Sequence, residues 1–458
     1  MPTTPTTEPR PEPSPGDDSQ APPQKRRGTR TPKGLFAAAS ERSTRADKIA
    51  VGVIGACVVI CVAVVLGTGS ARTVHHEAAA EPQPEYSPAH SDPQELQELW
   101  STPSLREGAP LVSDGNVFST TENGIQAWEA GVQNAEWSYS RSGTLCASQF
   151  FSGEIVTVFT GPAGCSDATA FDASTGEYSS GRQSAFADHM TLWGNGSNLL
   201  ALGPDRLEVW RDDLVRTVEY GAVAAPQEKN QQPRHGCGFQ SANLDSEDFV
   251  VAEKCPEDPE HVRVTVSSLV PEDSRVPEEE TSVLTEFSQF HLIGLTEGRE
   301  SVGVAERDGQ WMVVRLSAAG RSEILENLDG EPALLPSPET VAQEPGQFRW
   351  FDGRSTHAYD ARNATSQWVM DNVTGPGHGL GTTTGTRDGS GTAASAVLVP
   401  STSGVVLAGV ADGAIRATLP MDAAPSADHA VVGLSQIGNI LYAQHDGTLT
   451  AYKMVGSE

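Results

Sequence analysis

Four cysteines, Cys146, Cys165, Cys237 and Cys255, are the first residues in this chain whose spacing speaks to chemistry. They fall into two pairs of nearly equal separation, and each pair brackets a stretch that reads as a hairpin. A hairpin brings its ends together, so Cys146–Cys165 and Cys237–Cys255 are the natural bridges, although four cysteines permit other connectivities. The competing readings are free thiols and a zinc site; no Cys-x-x-Cys spacing supports the latter. Asp352, His357 and Asp360 lie close enough in sequence to form an acid–base cluster. A lone histidine in a strand is more often structural. His75-His76 offers two imidazoles with no third ligand in sight. The glycine-rich run Gly375–Gly391 has the look of a phosphate loop but lacks the Gly-Lys-Ser/Thr ending. No Gly-x-Ser-x-Gly elbow and no His-Glu-x-x-His occurs in the sequence. These residues point to no catalytic, cofactor-binding or metal site, and the expectation is a protein that is not an enzyme.

The elements that carry these residues are short strands. Residues 109–140 read APLVSDGNVFSTTENGIQAWEAGVQNAEWSYS. Asp114-Gly115 and Asn123-Gly124 are hairpin turns, because these residues tolerate the positive φ that tight hairpins need. Between and after them, apolar and polar residues alternate as half-buried strands require. Three or four short antiparallel strands in so few residues form one blade of a β-propeller. The shape returns along the chain. Its marker positions are Trp128, Phe171, Trp210, a place near Thr265, Leu316, Tyr359, a place near Gly409, and Tyr452. A period in this range belongs to propellers and other repeat folds. The expected fold is all-β: an eight-bladed propeller of four-stranded antiparallel blades, with seven blades as the alternative.

Ala170-Phe171-Asp172-Ala173-Ser174-Thr175-Gly176 is the fullest copy; Ala358–Trp368 and Ala127–Trp137 match in part. The pattern resembles the pyrroloquinoline-quinone (PQQ)-type propeller repeat, in which such a strand turns into one bearing tryptophan. The resemblance covers roughly residues 95–458. Quinone enzymes of that family use a vicinal Cys-Cys disulfide and a funnel calcium site. No two cysteines are adjacent here, so the repeat implies the fold and not the cofactor. A similar propeller lipoprotein serves the Gram-negative outer-membrane assembly machinery, which implies a scaffold or binding role with an envelope protein or peptide as partner. An envelope enzyme, a glycan-binding propeller and a transmembrane signalling protein are the alternatives. The last copy ends near the terminus without its tryptophan-bearing strand. Residues 96–102, containing Trp100, are expected to supply it beside 447–454, bringing Trp100 to Tyr452. Closure of this kind removes an exposed sheet edge.

Ahead of the repeats lies Ile49–Gly69, without a charged residue and long enough to cross a bilayer as a helix. The transmembrane helix is placed at 48–69. Arg42, Arg45 and Lys48 precede it, so the positive-inside rule puts the N-terminus in the cytoplasm and the repeats outside. A cleaved signal peptide ending near Gly69-Ser70-Ala71 is the alternative. Cys57 and Cys61 within the span read as small apolar fillers. Residues 1–47, rich in Pro, Thr, Ser and charge, are expected to be disordered, and 70–94 to be a flexible linker. An exported domain meets an oxidising compartment, which favours the two bridges. The net charge is −29, concentrated after residue 48. So acidic a surface argues against nucleic acid, since few basic groups are present to release counterions. Arginine far outnumbers lysine beyond residue 48, as a GC-rich genome would give. The long loops at Gly221–Gly236 and Pro271–Thr281 are where a rigid scaffold would place binding.

Overall fold

A computed structural model describes residues 44–68, 73–82, 86, 91–113, 115–187, 189–223, 226, 227, 229, 231–381, 394–421 and 431–456. Most of the tail, the Gly69-Ser70-Ala71 site, Asp114 and residues 382–393 of the glycine-rich run lie outside the described residues. The chain divides into two units, one ending at Thr68 and the other beginning at Gly69.

In the first unit the described residues form a helix, Arg45–Thr68. It starts three residues before the expected position because Thr44 and Asp47 cap it reciprocally. The Asp47 amide donates to Thr44 Oγ1 at 3.2 Å, and the Thr44 amide donates to Asp47 Oδ2 at 2.7 Å. This exchange satisfies amide groups that an uncapped helix start leaves open. The 20 residues Arg45–Val64 are long and apolar enough to span a membrane, a test a signal sequence also passes.

The second unit is an eight-bladed ring. Eight antiparallel sheets follow one another, numbered here as blades 1 to 8: residues 111–140, 145–183, 191–221, 238–284, 289–327, 341–371, 378–419, and 433–456 completed by Pro93–Pro103. Each blade runs from an inner first strand to an outer fourth strand. In blade 8 the outer strand is Pro93–Pro103, which pairs with Thr448–Gly456. Leu96 faces Met454, Glu98 faces Tyr452 and Trp100 faces Ala451.

One irregularity marks the repeat. In every blade the pairing of third with fourth strand slips by one residue at the same place. The slip falls at Ala127/Trp128, Ala170/Phe171, Val209/Trp210, Val266/Ser267, Val313/Val314, Ala358/Tyr359, Leu407/Ala408 and Ala451/Tyr452. A β-bulge bends the outer strand and adds local twist. The repeat position therefore moves to Ser267, Val314 and Ala408 in blades 4, 5 and 7. The sequence assignment near Thr265, at Leu316 and near Gly409 was displaced because those blades lack the aromatic marker.

The motif residues have separate physical roles. Asp172 Oδ1 accepts the amides of Ser174 and Thr175 and the Thr175 hydroxyl, folding the chain into a turn. Gly176 follows at φ 71°, and a Cβ there would stand 2.5 Å from the Trp137 ring of blade 1. Trp137 Nε1 then donates to Ala173 O at 3.1 Å. Blades 6 and 7 repeat the arrangement: Trp368 lies against Gly413 and donates to Val410 O at 2.8 Å. Trp137 faces Ala127 and Trp368 faces Ala358, each just before the bulge. Trp100 occupies that same place in blade 8, so the strand from the start of the ring has the register of a true fourth strand.

The core is divided among the blade interfaces. Eight apolar clusters each join two neighbouring blades, including the one at which the ring closes. There Trp100, Val117, Ile440, Tyr442 and Leu449 pack together. Trp193, on the inner strand of blade 3, touches both the blade 3–4 and the blade 5–6 clusters, so a side chain reaches across the axis.

The segment read as a flexible linker is in part a strand. His75–Glu77 pairs with Ser138–Ser140 and extends blade 1 to five strands. His76 fixes it: its Nε2 lies 2.6 Å from Gly176 O, and its ring packs on Tyr139 and Phe171. The Ala79 amide donates to Thr175 O at 2.8 Å. His76 is thus committed to packing and backbone contact, His75 is paired with Ser140 and exposed, and the propeller takes in residues ahead of 95.

Candidate functional site at the mouth of the ring

In a four-stranded blade the hairpin from second to third strand and the connection to the next blade fall at the same end. All eight blades therefore present these segments on one face. Among the described residues two concavities that open there each hold an unusual basic side chain.

The first lies over the axis. Its walls come from blades 1, 2 and 3 and from Pro338 and Glu339, which lead into blade 6 half-way round the ring. The volume is about 350 Å³, within the range of small-ligand sites. The connection from blade 8 to blade 1 crosses the mouth. Ser104 starts it, donating its amide to Gly447 O and accepting the Thr120 amide on its hydroxyl. Gly108 sits so close to Glu339 that a Cβ would approach its Cα to 2.8 Å. Held at both ends, this short segment orients Arg106. The Arg106 Nε donates to Ala109 O at 2.7 Å and its Nη1 to Ser148 O at 2.7 Å. Burial pulls the guanidinium down to about 10, against the push of the Glu339 charge. Thr144–Gln149 of blade 2 runs along the wall. That blade's inner strand, Leu145–Phe151, is paired on one side only.

The second concavity, about 260 Å³, lies between blades 5 and 6. His357 is its centre. Its Nδ1 lies 3.1 Å from Glu326 Oε1, and its Nε2 lies 3.3 Å from Asp352 Oδ2. Its ring stacks on Trp350 at 5.2 Å, and Tyr359 donates to Glu326 Oε2 at 2.8 Å. Burial alone would lower the His357 pKa. The hydrogen bonds to Asp352 and Glu326 outweigh it and raise the value to about 9. The ring is then a cation, both nitrogens donating to carboxylates. Asp352 and His357 do come together, but Asp360 does not. It stands further along the same strand, paired with Arg362 at 3.0 Å. Glu326 takes its place, contributed by the outer strand of the preceding blade.

The four cysteines form two disulfides, Cys146–Cys165 and Cys237–Cys255. Cys237 and Cys255 flank the first hairpin of blade 4, where Gly238 faces Lys254. Cys146–Cys165 reaches from the first to the third strand of blade 2 across the end of the second. Glu253 lies beside the blade 4 bridge. Its carboxyl oxygen and the two sulfurs fall within 4.8 Å of one another. Oxidised sulfurs are not thiolate ligands, so the grouping is not a metal site in this state. Burial pushes Glu253 up to about 7, despite hydrogen bonds from Tyr220 and Thr265 at 2.9 Å each.

The remaining sequence candidates serve the fold. Pro376 O and Gly377 O of the glycine-rich run accept Arg349, and Gly375 O accepts the Thr356 hydroxyl. Carbonyls of the described part thus face the Arg349 cation, while the Gly379 amide donates to Glu344 Oε1 at 2.9 Å. The two long loops dock on each other: Gln232 Nε2 donates to Arg275 O at 2.8 Å and to Glu219 O at 2.9 Å. Neither Arg106 nor Glu326 stood out in the sequence. An isolated arginine in a loop and a glutamate on a distant strand carry no local signal.

No family model matches the chain, and no curated protein sequence matches it. Three solved propellers illustrate its neighbourhood in structure. BamB from Moraxella catarrhalis is 13% identical with a TM-score of 0.46, covering 79% of this chain and 99% of its own. Sqt1 of Saccharomyces cerevisiae is 8% identical with a TM-score of 0.48, covering 80% and 100%. The N-terminal domain of Nup159 is 11% identical with a TM-score of 0.40, covering 82% and 99%. At these values nothing carries over from them to this chain.

Proposed function

We propose that this chain is a non-enzymatic, membrane-anchored binding module of the cell envelope. The N-terminus is cytoplasmic, the propeller extracytoplasmic, and the partner a protein or peptide, not nucleic acid. One observation carries the reading: a 20-residue apolar helix and a disulfide-bonded propeller occur in one chain. Structural disulfides persist in oxidising compartments, and the helix offers the means of remaining at the membrane. The face with the concavities is where the rigid ring exposes recognition surface. Its most reactive-looking group, His357, has both ring nitrogens engaged by carboxylates, which suits a structural cation better than a proton shuttle.

Protease treatment of intact cells, followed by detection of both ends of the chain, tests the topology. Loss of the propeller with survival of a membrane-bound N-terminal fragment is expected. A fully protected propeller would overturn the orientation. N-terminal sequencing of the mature protein separates an anchor from a cleaved signal. Crosslinked capture from membranes is expected to recover a defined envelope partner. Glycan turnover by the purified protein would replace this reading with an enzymatic one.

A further inference from the structure

The concavity over the axis holds a cation that the protein leaves without a counter-ion in contact. Elsewhere, largely buried arginines have ion pairs. Arg206 reaches Glu208 and Glu219 at 2.6 Å, Arg349 reaches Glu344 at 2.7 Å, and Arg182 reaches Glu208 at 3.0 Å. Arg106 does not: among the described residues, no carboxylate oxygen lies within 4.0 Å of its guanidinium. Its Nε and Nη1 are spent on backbone carbonyls, which fix the plane of the group. Among the described residues Nη2 has no hydrogen-bond acceptor, and the side chain lines the cavity. Glu339, in the wall of the same cavity, acts on Arg106 without an ion-pair contact.

We propose that this cavity is a peptide-binding site in which Arg106 receives a carboxylate, the free carboxyl terminus of an extended peptide. A half-buried, pre-oriented guanidinium binds a carboxylate by charge-assisted hydrogen bonds at little ordering cost. Leu105, Met190 and Leu192 line the same cavity and offer apolar contact to the residues before that terminus. The half-paired inner strand of blade 2 lies alongside and offers backbone groups to an extended chain. Glu107, Glu122 and Glu339 in the wall set the selectivity: a single carboxylate is accepted at Arg106, and highly acidic ligands are repelled. The proposal rests on the binding-module reading and names the ligand chemistry of its site.

The test uses the full chain in detergent micelles and two hexapeptide pools of identical random composition. One pool has free carboxyl termini and the other is amidated. Retention of the free pool is expected to exceed that of the amidated pool about tenfold. Arg106→Gln should abolish the difference, Arg106→Lys should keep part of it, and Glu339→Gln should strengthen retention. Equal retention of both pools would overturn the proposal, as would an Arg106→Gln protein that is folded and still discriminates. If Arg106→Gln does not fold, Glu339→Gln decides, and unchanged retention there counts against the site. These outcomes do not depend on where the protein resides, so a failed topology experiment leaves them readable.

Discussion

His357 shows how one side chain can tie two blades and make their stability depend on pH. Its pKa in the folded protein is about 9, above the usual value near 6.5. The contribution is therefore complete below about 6.5 and is lost as pH rises through about 9. Glu326 and Asp352 are both lowered; burial opposes this, but their hydrogen bonds with His357 prevail. Their contribution is present above the ordinary carboxylate range and disappears as the medium becomes acid. Thermal melts of the wild-type protein are expected to decline between pH 6.5 and 9. The decline should be shallower in His357→Gln, which also loses on the order of 2 kcal/mol at pH 6. Parallel melting curves for the two proteins across that range would refute the assignment. Glu253 gives a second, earlier window. Its pKa is raised to about 7 by burial, so protonation favours the fold below about 4.5 and that gain is lost toward 7. Glu253→Gln should remove that slope in melts from pH 4.5 to 7.

The elements explain which parts of this molecule a sequence can reveal. Asp172, Thr175 and Gly176 act within one turn, and Trp137 recurs as Trp368 at matching places in the repeat. Such features are local or periodic and can be read without coordinates. The bulge position in blades 4, 5 and 7 is periodic too, but Ser267, Val314 and Ala408 bear no distinctive side chain. Glu326 meets His357 only because two blades pack side by side. Arg106 faces Glu339 only because the chain crosses the axis. Contacts of that kind depend on the ring and have no signature in a stretch of sequence. The closing strand lies between these cases. Trp100 has the tryptophan of the repeat, yet its blade is completed by residues from the other end of the chain. Its ring packs at 6.0 Å from Trp128 and 6.1 Å from Tyr442. Trp100→Ala is expected to cost about 3–5 kcal/mol, the range for a buried large aromatic. Tyr178→Ala is a fair control, since Tyr178 is on the outer strand of blade 2 but 62% exposed. A denaturant titration in which both variants unfold at the same midpoint would deny the closing strand its role.

At the scale of the whole molecule, the ring depends on each interface, because every cluster is built on two neighbouring blades and Trp193 adds only a single side chain across the axis between two of them. Blade 8 needs residues from both ends of the propeller, so closure waits until residues 433–456 are available to meet 93–103. The two disulfides lie outside that seam, within blades 2 and 4. They secure individual blades by limiting the freedom of the unfolded chain, each by about 2–4 kcal/mol. This division has a measurable consequence. Reduction should loosen blades 2 and 4 first, while the seam between blades 8 and 1 stays formed. Hydrogen exchange after mild reduction is expected to accelerate in 145–183 and 238–284. The amides of 448–456, paired with the strand at 93–103, should remain protected. Uniform acceleration around the ring would mean that the bridges hold the wheel as a single cooperative body, and that the interfaces do not fail one by one.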